Sequence, residues 1–422
     1  MKQTIIIIGA GAAGLMAARL LSEQGYHVVV TEADNRTGGR IHTITRNELE
    51  GVMEAGAEFV HGNLVLTSTL LQEAGIPLIP LTGNTYTVTN GSWTTLESFA
   101  PGWDELLEKM QQLHEDMAIA GFLDQYFPLT HYEPLRKAVQ RFAAGFDLAD
   151  IRKANVFAVR DEWQHDMEQQ FRVQGGYGRL VDYLCNQFLA RGGALLTSFV
   201  VKKLHWKKGA VRVVAADGST IEGTQAIITV PLGVLQASPS DAGGIAFEPA
   251  IDTYREAAMQ MGYGTVIKMV LHFSKACWPP DTGFILSDQP VPTWWTQLPD
   301  TRPLLTGWLG GGQHPLPDQV SDEEVLALAF RSLSAIFNLP EYQLRELVTA
   351  YAVYNWKQHP YALGGYSYST LHTRNAQEIF KMPVEHTLYF AGEAFYNGPS
   401  PGTVEAALVS GKEVAEKIIA GK

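Results

Sequence analysis

Two groups of residues in this 422-residue chain are of a type and spacing that could do chemistry. One is Lys268, set in the apolar run Val266-Ile267-Lys268-Met269-Val270-Leu271. Alternation along a strand puts it on one face with Val266 and Val270, while Ile267, Met269 and Leu271 take the other. A lysine there either snorkels its ammonium to solvent or keeps it inside as a working charge. The other group is Gly9, Gly11, Ala13 and Gly14, with Glu32 and Ala33 following at the next apolar run. Glycines so spaced let a backbone approach phosphates, and a carboxylate placed there accepts hydrogen bonds from ribose hydroxyls. The chemistry suggested is a dinucleotide held near an amine.

Those residues need elements to position them. Thr4–Ile8 is a continuously apolar, β-branched run, as expected of a strand buried on both faces of a parallel sheet. Leu15–Gln24 reads as a helix ended by Gly25, and His27–Thr31 as a second strand delivering Glu32. Gly9 permits the tight turn, Gly11 admits the pyrophosphate, and Gly14 lets the helix pack on the sheet, its N-terminus facing the phosphates. Glu32 would repel a 2′-phosphate, which argues against NADP. The fingerprint alone leaves NAD and FAD open. Gly38-Gly39-Arg40, directly after the acid, makes a second backbone site with a countercharge and points to FAD.

The combination resembles the FAD signature of the flavin amine oxidase superfamily, which includes monoamine and polyamine oxidases and lysine-specific histone demethylases. The resemblance continues in separated blocks. Glu54-Ala-Gly56-Ala57-Glu58-Phe-Val-His61-Gly62 is similar to the segment that passes beside the flavin; His61 would face the substrate, although a loop histidine satisfied by backbone fits equally. Phe171-Arg-Val-Gln-Gly175-Gly176 is similar to the return to the FAD domain, and a valine contacting adenine through its backbone falls at Val201. Gly262–Phe273 matches the block that presents a lysine to flavin N5 through a water, which implies that role for Lys268. Trp356 and Gly364-Gly365-Tyr366 match the aromatic cage, Tyr366 as one wall and Trp356 behind the ring. Gly365 stands where covalent monoamine oxidases carry a flavin-tethering cysteine, so the resemblance implies non-covalent FAD. Gly392-Glu393 would lie along the pyrophosphate and ribityl chain, and the helix start at Thr403-Val404 would face the flavin O2 carbonyl. Thr403 replaces the second cage tyrosine, which speaks against small arylamines.

The fold expected is α/β: a Rossmann-like FAD domain with a parallel sheet, from residues 1–75, 170–246 and 376–422, interleaved with an α+β substrate domain from 76–169 and 247–375. Composition agrees with a globular enzyme, at 46% hydrophobic and 18% charged residues. A net charge of −12 argues against nucleic-acid binding and weakly favours cationic ligands. Glu162, Asp166 and Glu168 could attract a polycation, but read more simply as a solvated acidic face. Cys185 and Cys277 form no CxxC spacing and suit core packing. The chain enters its first strand at once and holds no long apolar run, so a soluble cytoplasmic protein without signal peptide or membrane span is expected. The activity implied is oxidation of an amine to an imine, with hydride transfer to flavin N5 and dioxygen as acceptor. The rivals are an L-amino acid oxidase, which needs a substrate-binding arginine not evident in the sequence, a desaturase-like relative, and a flavoprotein without turnover.

Overall fold

Ile5 to Ile8 are all buried, because this strand lies at the centre of a five-stranded parallel sheet. A computed structural model describes residues 3–89, 91–96, 98–165, 169–311 and 319–421. The sheet runs in the order Ala194–Leu196, His27–Thr31, Thr4–Ile8, Gln225–Ile228, Leu388–Phe390, with every pairing parallel. Its first helix spans Ala12–Glu23, one turn earlier than the apolar spacing suggests, because Gly11 in extended conformation serves as the N-cap. A Cβ at Gly14 would stand 2.0 Å from the Gly9 carbonyl oxygen, so only glycine lets this helix pack so closely on the strand that precedes it. The closing helix, Val404–Ala420, packs along the first, and Gly411 meets the Ala13 backbone there.

A four-stranded sheet (Thr220–Gly223, Ala210–Ala215, Val201–Lys207, Ala246–Glu248) sits on the other face of the parallel sheet, sharing its core with Ile6, Ile8 and Phe390. A seven-stranded sheet forms the remaining body. Its order is Val348–Asn355, Val266–Phe273, Leu304–Gly310, Thr293–Trp295, Thr282–Ser287, Asn84–Thr89, Ser92–Thr95. Helices Trp103–Gln111, Ile119–Tyr126, Glu133–Gly145 and Val156–His165 bury a separate aromatic core around Trp103, Phe122 and Trp163. The overall class is therefore α/β with sheets flanked by helices, as the sequence suggests. Both cysteines are free; Cys185 is buried. Among the described residues no helix is long and apolar enough to cross a membrane.

Candidate active site

Every residue of strand Val266–Phe273 is buried, since a strand pairs on each side of it and apolar clusters cover both faces. Lys268 is 0% exposed, so the snorkelling alternative fails. Its ammonium donates to Glu58 Oε2 at 2.6 Å and to the Gly56 carbonyl at 3.1 Å, and lies 5.4 Å over the Trp295 ring. Glu58 Oε1 accepts from Arg172 Nε at 2.9 Å and from Trp295 Nε1 at 3.0 Å. Burial alone would raise the Glu58 carboxyl, but Lys268 and Arg172 outweigh it and hold the group at about 2.

A single cavity of about 1020 Å³ joins this pair to the glycine turn. Of the residues singled out from sequence, Gly9, Gly11, Ala13, Glu32, Ala33, Gly39, Arg40, Gly56, Ala57, Glu58, His61, Val201, Lys268, Trp356, Tyr366, Gly392, Glu393, Thr403 and Val404 all line it. Gly14 does not line it; its work is the helix packing described above. Glu58 lines the cavity while its carboxylate binds Lys268 and Arg172.

The dinucleotide end is built from backbone. Glu32 accepts from the Ala10 N–H at 2.8 Å and the Asp34 N–H at 2.9 Å, which fixes the carboxylate with lone pairs to spare. Beyond Gly11 the nearest atom to an added Cβ is the Gly38 carbonyl at 3.9 Å, so the space above it is cavity. Arg36 donates to the carbonyls of Thr37, Gly39 and Ile41 and thereby shapes the double-glycine turn. Arg40 spends Nη1 on Glu393 and the Gly365 carbonyl, both at 2.7 Å, so it clamps its own turn to those two segments. Glu393 Oε2 is held by the Ser367 hydroxyl at 2.6 Å. Thr403 caps the closing helix by accepting from the Ala406 N–H at 3.2 Å, and that helix starts at the cavity wall.

The opposite end is aromatic and acidic. Tyr366 donates its hydroxyl to the Phe146 carbonyl. Trp356 donates to the Ala55 carbonyl at 2.9 Å and packs with Tyr366 and Val266. The His61 ring stands edge-on to Phe146 at 6.0 Å; burial lowers it to about 4, and its Nδ1 has no partner among the described residues. Asp147, buried and within hydrogen-bonding reach of Glu162, accepts from the Trp163 indole at 3.0 Å and is raised to about 6 by burial. Both acids line the cavity. Glu162 thus leaves the solvated acidic face imagined for it, while Asp166 and Glu168 lie outside the described residues.

The family profile described as flavin-containing amine oxidoreductase matches residues 12–419. The chain belongs to that family. Polyamine oxidase 4 of Oryza sativa subsp. japonica is 27% identical, over 98% of this chain and 88% of that protein. Lysine-specific histone demethylase 1 homolog 3 of Arabidopsis thaliana is 24% identical, over 99% of this chain but 30% of its own length. Among solved structures, wild-type putrescine oxidase bound to putrescine superposes with TM-score 0.82 at 20% identity, covering 100% of this chain and 99% of its own. Cyclohexylamine oxidase from Brevibacterium oxydans IH-35A follows at TM-score 0.78 with 20% identity, covering 100% of this chain and 99% of its own. As a flavin-containing amine oxidoreductase, the protein is an enzyme acting on amine carbon–nitrogen groups.

Sequence reasoning missed Arg172, Trp295, Asp147 and Arg36. One signal was available for Asp147: it is a lone acid in the run Ala143-Ala144-Gly145-Phe146-Asp147-Leu148-Ala149. Arg172 and Trp295 reach the site only through long-range pairing, which no local pattern announces.

Proposed function

We propose that the protein is an FAD-dependent amine oxidase that holds FAD without a covalent bond, oxidises a diamine or polyamine, and passes the electrons to dioxygen. The observation that carries this reading is one continuous cavity, with a dinucleotide cradle at one end and Lys268, Tyr366 and the acids Asp147 and Glu162 at the other. Its volume is at the upper end of small-molecule sites, about 300–1,000 Å³. The cradle fits FAD: Glu32 for the ribose, Gly11, Gly39 and the helix N-terminus for the pyrophosphate, Val201 for the adenine, and the Thr403-Val404 helix start for the flavin end. Gly365, packed against Leu148 and Val266, carries no side chain that could tether the flavin, which supports non-covalent binding.

When bound, FAD supplies the acceptor that takes a hydride equivalent at N5 and yields its electrons to dioxygen. In sum, amine, dioxygen and water become aldehyde, a smaller amine or ammonia, and hydrogen peroxide. The protein's own residues supply binding, orientation and charge. Tyr366 and Trp356 form a fixed aromatic wall, because each has its polar atom tied to backbone. His61, kept neutral by burial, lines the same cavity. Asp147 and Glu162 provide a countercharge for a second ammonium, and the names of the polyamine and putrescine oxidases it resembles point the same way.

A second reading, oxidation of an amino acid, gains one observation. Arg141 lines the cavity and supplies the arginine not evident from sequence. It is solvent-exposed, however, and the acids Asp147 and Glu162 in the same cavity disfavour a carboxylate. Rapid anaerobic mixing with amines and amino acids decides between them. Bleaching of the flavin band by diamines supports the proposal; bleaching by amino acids alone refutes it. Lys268→Met should slow flavin reduction, reoxidation or both, and unchanged rates would remove Lys268 from the mechanism.

A further inference from the structure

We infer that Glu58 is a positioning residue for Lys268: its carboxylate holds the lysine as an ammonium on the cavity wall and fixes where that charge stands. The inference rests on Lys268 acting in the reaction as proposed above. Both Glu58 oxygens are occupied, Oε2 by Lys268 at 2.6 Å and Oε1 by Arg172 and Trp295 at 2.9 and 3.0 Å. A carboxylate so committed has little left for a cofactor. Arg172 in turn is anchored, donating to the carbonyls of Leu298 and Thr296 at 2.9 and 2.8 Å, so it does not compete for the bridge to Lys268.

Two cations, Lys268 and Arg172, share the Glu58 carboxylate. An ammonium has three donors, and the described residues take two, Glu58 and the Gly56 carbonyl. The third is available to the cavity that Lys268 lines. Dioxygen gains negative charge as it takes electrons, so a fixed ammonium favours that step without being consumed. The charged and titratable groups around Lys268 are Glu58, Arg172 and Glu54, with Tyr354 opposite it in the sheet register. With Glu58 removed, the two cations lose their shared anion, and Lys268 loses the partner that fixes its position.

The test is a double-mutant cycle on the full-length holoenzyme: parent, Glu58→Gln, Lys268→Met and both together. Reductive and oxidative half-reactions are timed by stopped flow across pH, and the midpoint potential of the bound flavin is measured on the same proteins. Glu58→Gln should slow reoxidation at least about tenfold. In the Lys268→Met background the same change should alter it less than about twofold. The potential should shift with Glu58→Gln only when Lys268 is present. Equal effects with and without Lys268 overturn the inference. If Lys268→Met alone leaves both half-reactions unchanged, the proposed function loses its lysine, and the potentials still decide whether the two residues are coupled. Should Glu58→Gln fail to fold, Glu58→Asp draws the carboxylate back from Lys268 instead; non-additivity with Lys268→Met is then expected, and additivity overturns the inference.

Discussion

The Tyr366 hydroxyl donates to the carbonyl of Phe146, the residue that immediately precedes the buried Asp147. The aromatic wall and the acid pair are therefore joined by one hydrogen bond between distant parts of the chain. Tyr366→Phe keeps the ring but leaves a carbonyl without its partner. Thermal unfolding should show a loss of about 1–3 kcal/mol, and KM for the amine should rise more than kcat falls. Parent-like stability and KM would show that the bond does not hold the wall.

Asp147→Asn tests the choice of substrate. Its KM for a diamine should rise about tenfold to a hundredfold, while that for a monoamine of equal length stays within about twofold. Burial holds the Asp147 carboxyl at about 6, so it gains its full charge only as pH climbs through that value. The parent's preference for diamine over monoamine should strengthen across the same range, and the variant's should not. A preference that is flat with pH in both proteins would separate Asp147 from substrate recognition.

Gly11 and Gly14 separate binding from packing. Gly14→Ala drives a Cβ to 2.0 Å from the Gly9 carbonyl and should unfold the site, lowering the melting midpoint with or without added FAD. Gly11→Ala meets nothing closer than 3.9 Å on the protein side. It should melt like the parent as apoprotein yet retain less flavin after dialysis. The reverse pattern would contradict the placement of the cofactor.

Glu54 gives a pH dependence of stability. It accepts from the Tyr177 N–H at 2.6 Å and the Thr43 hydroxyl at 2.8 Å, and burial raises it from an ordinary value of 4.5 to about 7. A carboxyl that holds its proton more tightly when folded contributes stability that is complete below the unfolded value and lost as pH rises through the folded one. Denaturant unfolding should therefore show a decline on the order of 3 kcal/mol between those limits, and Glu54→Gln should flatten it. An equal slope in both proteins would assign the decline elsewhere.

The cofactor end was legible because it is local. Residues 4–40 carry strand, glycine turn, helix, strand and acid in one unbroken stretch, and each step has its own composition. Even there the first helical turn escaped notice, since Ala12, Ala13 and Gly14 lack the apolar spacing that marks the rest. Lys268 was visible as a charge among valines, but its partners were not. Glu58 immediately precedes the short strand Phe59–His61 that pairs with Arg172's strand, Trp295 sits two strands from Lys268 in the seven-stranded sheet, and only the folded chain brings them to one point. For the same reason the bonding of Glu58 was not legible: Gly56, Ala57 and Glu58 all line the cavity, and nothing local says that the carboxylate binds Lys268 and Arg172.

The parallel sheet has a consequence for how the enzyme is made. Its central strand comes from residues 4–8, yet its neighbours come from 27–31 and 225–228 and its edge from 388–390, with the capping helix starting at Val404. On a ribosome the first half of the nucleotide cradle emerges early and waits, with its apolar edge uncovered, for nearly the whole chain to be synthesised. Cofactor loading is thus a late event in biosynthesis, and flavin supply should govern how much of the newly made chain reaches its final state before aggregation takes the rest.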